Sequence, residues 1–175
     1  LCTARFNVDI DLDPGDEILS PTPYFVEYSF YADNHGGVLK TVAVREDFTL
    51  DLEGMAEAIG PKTKIILINS PNNPTGQIYS ESSLQELGEI MSRKSREYGR
   101  AIYLVSDEPY RKIVYNGTQV PSILQCYSNS LVVTSYSKDL SLPGERIGFV
   151  AISPQVEDAS NLINALSLAN RILGF

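Results

Sequence analysis

Residues Lys64–Asn69 read Lys-Ile-Ile-Leu-Ile-Asn, four large aliphatic residues in unbroken succession. A strand with one wet face alternates apolar and polar residues. A continuous short run is the mark of a strand covered on both faces, as in a parallel sheet between helices. Ile102–Ser106 and Leu131–Ser135 look similar, and Ile147–Ile152 reads Ile-Gly-Phe-Val-Ala-Ile. Glu17–Ser20, after the turn Asp13-Pro14-Gly15-Asp16, and Val38–Val44 complete six strand candidates. Helical patterns separate them. Asp51 is placed to cap Leu52–Ile59, where Leu52, Met55 and Ile59 share a face. Ser83 with Glu86 makes a capping-box pattern for a helix running to Tyr98, which Gly99 ends. From Pro154 to the end, Val156, Ala159, Leu162, Ile163, Leu166, Ala169, Ile172 and Leu173 form a wide apolar stripe at helical spacing. Alternating strands and helices predict an α/β fold: a mostly parallel sheet of about six strands flanked by helices. At 175 residues the chain fits one domain, with no repeat and no internal boundary.

Charge and composition close off several function classes. With 14 Lys+Arg against 22 Asp+Glu the formal net charge is −8, which argues against a nucleic-acid partner and a polybasic membrane patch. No apolar run approaches the roughly 20 residues that cross a bilayer, and no signal peptide opens the chain. Cys2 and Cys126 are too few for a disulfide scaffold and read as reduced thiols in a cytosolic setting. They form no C-x-x-C pair, and with the single histidine, His35, they offer no metal cluster. The chain opens on Leu1 and stops at Phe175 inside the last helical pattern, so a fragment of a longer protein is expected.

Ligands of open α/β sheets bind at the carboxyl ends of the strands, and three predicted strand ends carry chemistry. Lys64–Asn69 runs into Ser70-Pro71-Asn72-Asn73-Pro74-Thr75-Gly76, Ile102–Ser106 into Asp107-Glu108-Pro109-Tyr110, and Leu131–Ser135 into Tyr136-Ser137-Lys138. Each has a plainer reading alone: an ordinary turn for the first, a turn-capping acid for Asp107, a solvated Lys138, and an Arg146 paired with Glu145 or Asp139. Their joint arrival after three core strands favours a site. A lysine amine forms a Schiff base with an aldehyde. A fixed carboxylate keeps the ring nitrogen of pyridoxal phosphate protonated, which makes the ring an electron sink. Asp107 suits that role, Tyr110 and Asn73 suit hydrogen bonds to the ring oxygen, and Arg146, Ser135 and Ser137 suit the phosphate.

These motifs, with Leu142-Pro143-Gly144-Glu145-Arg146-Ile147-Gly148 and Asp13–Leu19, resemble the large domain of class I/II, fold-type I aminotransferases dependent on pyridoxal phosphate. The resemblance covers nearly the whole chain. It implies residues 1–175 as the core of the cofactor-binding catalytic domain, incomplete at both ends. Lys138 resembles the Schiff-base lysine that moves a proton between substrate and cofactor, and Asp107 the pyridinium partner. Tyr110 and Asn73 resemble the ring-oxygen ligands, and Ser135 and Arg146 phosphate ligands. Phe25, in Pro23-Tyr24-Phe25-Val26-Glu27-Tyr28, stands where the family stacks an aromatic ring on the pyridine; Tyr24 is the register alternative, and a core aromatic on a short helix the plain one.

The implied activity is ping-pong transfer of an amino group from an amino acid to a 2-oxo acid, by a cytoplasmic homodimer. Departures accompany the match. Leu1–Leu12 holds no Gly- and Ser/Thr-rich phosphate-binding turn, and the small domain that supplies the substrate-carboxylate arginine is not reached before Phe175. An N-terminal arm and an edge strand are missing too, so little activity is expected of these residues alone. Rival readings on the same fold are a carbon–sulfur lyase or an aminocyclopropane-carboxylate synthase. Such lyases tend to carry histidine where Tyr110 stands. Further rivals are the aminotransferase-like effector domain of a transcription regulator and a scaffold that has lost its cofactor.

Overall fold

A computed structural model describes residues 12–172. Six strands form one sheet: β1 (Glu17–Thr22), β2 (Val38–Ala43), β3 (Thr63–Asn69), β4 (Tyr103–Asp107), β5 (Ser130–Ser135) and β6 (Gly148–Ile152). Their order is β2-β1-β3-β4-β5-β6, and every neighbouring pair is parallel except β5 and β6. All six candidate stretches are therefore strands, with ends displaced by at most two residues. Among the described residues five helices accompany them: α1 (Glu27–Asp33), α2 (Leu52–Ala58), α3 (Glu81–Tyr98), α4 (Tyr136–Asp139) and α5 (Ala159–Ile172). The sheet grows from β1 outward to β2 on one side and from β3 to β5 on the other, so the direction of winding reverses between β1 and β3. That is where open α/β sheets have a crevice.

The core explains the unbroken apolar run. Ile66 and Ile68 of β3 pack with Leu19, Leu104 and Val132 against α2 and α3. Ile65 and Leu67 pack with Ile18, Val105, Leu131 and Val133 against α1 and α5. Successive side chains point to opposite faces, so both faces need aliphatic residues. Ile65 through Ile68 are each wholly buried, and burial of each such side chain is worth roughly 1.5–3 kcal/mol.

Local chemistry sets the helix ends. Asp51 caps α2 as expected, its Oδ1 accepting from the Gly54 N–H at 3.2 Å. Gly99 ends α3 at φ 63°, a conformation that glycine adopts without strain. The start of α3 departs from expectation: the cap is Ser80, not Ser83. The Ser80 hydroxyl accepts from the Ser83 N–H at 3.1 Å, and the Ser83 hydroxyl donates back to the Ser80 carbonyl at 2.9 Å. Gly88 of α3 lies so near the chain at Cys126 that a Cβ there would come within 2.6 Å of the Cys126 carbonyl oxygen. The last helix begins at Ala159 rather than Pro154, because Ser153 to Asp158 form turns. Helices α1 and α4 and a 3-10 turn at Ile123–Gln125 are too short to leave a periodic signature. The stretch Leu1–Leu12 lies outside the described residues except for Leu12. So do Cys2 and the end of the final apolar stripe. Cys126 is a free, half-buried thiol. No helix among the described residues is long and apolar enough to cross a membrane.

Candidate active site

The turn after β3 is built from its own asparagines. Asn69, buried at the strand end, donates through Nδ2 to the Asp107 carbonyl at 2.7 Å, while its Oδ1 accepts from the Asn73 N–H. One side chain thus joins the turn carrying Asn73 to the end of β4. Asn72 Oδ1 accepts from the Thr75 N–H at 3.1 Å and the Thr75 hydroxyl at 2.9 Å, and Gly76 closes the turn at φ 76°.

Asp107 is the last residue of β4, partly open to a crevice and otherwise enclosed. Its Oδ2 accepts a 2.8 Å hydrogen bond from the hydroxyl of Tyr28, a wholly buried residue of α1. Burial pushes the Asp107 carboxyl up to about 6; the Tyr28 hydrogen bond opposes that rise and the charge of Glu108 adds to it. Burial, followed by the neighbouring Asp107 charge, holds the Tyr28 hydroxyl well above the ordinary phenol range, so it stays a donor. Glu108 turns the other way. It is 1% exposed and pairs with Arg111 at 2.6 Å, and Arg111 also donates to the Val120 and Pro121 carbonyls at 2.6 and 3.2 Å. This ion pair fastens the segment that carries Tyr110.

The third part lies after β5. Helix α4 carries an exposed Lys138, whose Nζ sits 5.7 Å from the centre of the Tyr110 ring. Arg146 occupies a left-handed conformation at φ 55° and donates to the Pro143 carbonyl at 2.8 Å. Asp139, a surface partner for Arg146 in the plainer reading, pairs with Lys112 at 3.2 Å.

All eight residues singled out in the sequence, Phe25, Asn73, Asp107, Tyr110, Ser135, Ser137, Lys138 and Arg146, line one cavity of about 320 Å³. Phe25 lines it, whereas Tyr24 stacks on Tyr28 with ring centres 6.3 Å apart. Sequence reasoning missed Glu27, Tyr31, Asn69 and Thr134, which also line the cavity, and Tyr28 behind Asp107. The Tyr31 hydroxyl donates to Glu27 at 2.7 Å. A signal existed for Tyr28: it stands three residues after Phe25, on the same face of a helical turn. The acids come from α1 and β4, the cations from the connection between β5 and β6. A cationic ring nitrogen, an aldehyde and a phosphate each find a chemically matched group here, so the donor set fits pyridoxal phosphate. No cluster of metal-ligating residues occurs among the described residues.

An open sheet of this order, with a lysine and a buried acid sharing the crevice at its carboxyl ends, is the arrangement of a transferase large domain. The family model for aminotransferase class I and II matches residues 4–173, and the chain belongs to that family. The chain is similar to the probable aspartate aminotransferase of Methanocaldococcus jannaschii, 37% identical over 153 residues, covering 87% of this chain and 39% of the relative. It is 38% identical to the aspartate aminotransferase of Geobacillus stearothermophilus, over 80% of this chain and 36% of that one. Among solved structures, an aminotransferase from Eubacterium rectale superposes with a TM-score of 0.93 at 41% identity, covering 98% of this chain and 44% of that chain. The N-succinyldiaminopimelate aminotransferase of Mycobacterium tuberculosis superposes at 0.84 with 26% identity, over 97% and 43%. The chain thus spans about two-fifths of the length of these relatives.

Proposed function

We propose that the protein is a pyridoxal-phosphate-dependent aminotransferase that moves an amino group from an amino acid to a 2-oxo acid. The order is ping-pong, the first product leaving before the second substrate enters. The observation that supports this best is the opening of Asp107 and Lys138 into one cavity. Lys138 would hold pyridoxal phosphate through its aldehyde, and the ring would supply an electron sink for the substrate Cα.

The chain's own residues do the rest. The Asp107 carboxyl, raised to about 6 by burial, gains most from a cationic partner, and it holds the proton on the ring nitrogen. Tyr28 orients it by occupying Oδ2. The Lys138 amine would take up and hold the proton from the substrate Cα. Tyr110 and Asn73 would hydrogen-bond the ring oxygen, Phe25 would cover the ring, and Ser135, Ser137 and Arg146 would hold the phosphate by charge-assisted hydrogen bonds. Holding the reacting atoms in place is a large part of the rate gain. The residues described here supply the lysine and its acid, and the complete protein, a cytoplasmic homodimer in this proposal, supplies the substrate-carboxylate grip. These 175 residues alone are therefore expected to turn over slowly or not at all.

The test is reductive trapping. Pyridoxal phosphate is added to the chain, borohydride fixes any lysine adduct, and peptide mass spectrometry locates it. The adduct is expected at Lys138 and absent in Lys138→Ala. A uniform spread over surface lysines, with no preference for position 138, would overturn the proposal.

A further inference from the structure

The turn that carries Lys138 is held by a contact the chemistry above does not use. Lys112 lies two residues after Tyr110. Its Nζ is 3.2 Å from Asp139 Oδ2 and 5.9 Å from the centre of the Tyr136 ring. Both partners belong to α4, one on each side of Lys138 in the chain. The Asp139 side chain is only 11% exposed, and its other oxygen, Oδ1, is buried without a hydrogen-bond donor. A covered carboxylate with one oxygen unsatisfied depends on whatever cation remains beside it. The Tyr110 ring centre lies 5.7 Å from the Lys138 Nζ, and the titratable groups Glu27, Tyr31, Asp107 and Arg146 line the same cavity.

We infer that Lys112 is a positioning residue: its ion pair with Asp139 clamps the Lys138 turn to the Tyr110 segment and neutralises the carboxylate beside the working amine. The inference rests on Lys138 being that amine. Lys112 is 69% exposed, so the pair adds little to folding stability. Its consequence is electrostatic. Asp139 adjoins Lys138 in the chain, with Cα atoms about 3.8 Å apart, a spacing at which a charge is felt across the roughly 10 Å that salt leaves unscreened. Without Lys112, the Asp139 carboxylate stabilises the Lys138 ammonium and the amine is less available. Without Asp139, Lys112 repels that ammonium and the amine is more available.

The two losses therefore act in opposite directions, which loosened packing would not produce. The rate of Lys138 acetylation by acetic anhydride, followed by peptide mass spectrometry at one fixed pH, reads this in the cofactor-free 175-residue chain. Lys112→Met is expected to slow Lys138 roughly threefold and Asp139→Asn to speed it roughly threefold. The double variant returns near the parent rate, because the two charges act as a pair. Lys112→Arg keeps the parent rate, and Lys112→Gln repeats the Met result should that variant fold poorly. Equal rates in all variants, or both single variants moving the same way, would overturn the inference. Binding of pyridoxal phosphate is titrated separately. Its absence would count against the enzymatic reading and would leave the acetylation result standing.

Discussion

The two sides of the cavity are built by different means. The acid side ends two core strands: Asn69, Ser70, Asn72 and Glu108 are buried, and Asp107 has a long-range partner in Tyr28. The cationic side is a surface connection in which every residue from Leu140 to Phe149 is exposed and two, Ser141 and Arg146, hold positive φ. The acid is thus fixed by the fold itself, as part of the sheet that buries the hydrophobic core. The cations are fixed by few contacts, Arg146 to the Pro143 carbonyl and the Lys138 turn through Lys112 and Asp139. A group on the first side is costly to move and one on the second is easily moved, which suits the proposed roles of a mobile Lys138 amine and a fixed Asp107 carboxylate.

The strongest challenge to this contrast is Asp107→Asn. In the complete protein it is expected to lower transamination by about a hundredfold or more. In the cofactor-free chain it is expected to stabilise. A carboxyl raised from 3.8 to about 6 in the folded protein penalises folding once ionised. That penalty is absent below the ordinary value and complete above about 6, so it grows as pH rises through this window. Thermal melts of the variant at pH 7 should therefore lie a few degrees above the parent, with the gap closing toward pH 4. A lower melting point at pH 7 would mean that Asp107 is not strained by burial, and the contrast fails.

Tyr28→Phe comes next. It removes the donor to Oδ2 and leaves a buried carboxylate oxygen unsatisfied, at about 1–3 kcal/mol near neutral pH and less where Asp107 is protonated. Denaturant melts at pH 7 and pH 4 measure both numbers, and the loss should be larger at pH 7. The smallest effect belongs to the exposed side. Ser141→Gly relieves a left-handed serine at φ 55°, a gain of under about 1 kcal/mol once the greater freedom of the unfolded glycine is subtracted. A loss there would show that Ser141 is held by more than local geometry.

How much of this was legible depended on the range of the interaction. The central strands could be read because burial on both faces demands aliphatic residues at successive positions, as Ile65 to Ile68 supply in β3. The predicted residues that line the cavity could be picked out because each follows a readable strand. Helix starts were harder: Ser80 and Ser83 are both good N-cap residues, the capping-box pattern with Glu86 favours Ser83, and the fold uses Ser80. Longer contacts left no local trace. Tyr28 meets Asp107 across 79 positions, and Lys112 reaches Asp139 from a segment with no periodicity at all. Glu108 reads as part of the acidic motif, yet it faces Arg111 and the core rather than the cavity, since neighbours on a strand point opposite ways.

The direction of β6 has a consequence for economy of parts. Because that strand runs against β5, with Gly148 beside Ser135, the chain never travels to the far end of the molecule between them. It leaves the crevice mouth with an amine and re-enters within a few residues with a guanidinium. A parallel sixth strand would have needed a crossover and would have begun at the opposite rim. A single reversal therefore lets one short excursion deliver both positive charges to the same doorway.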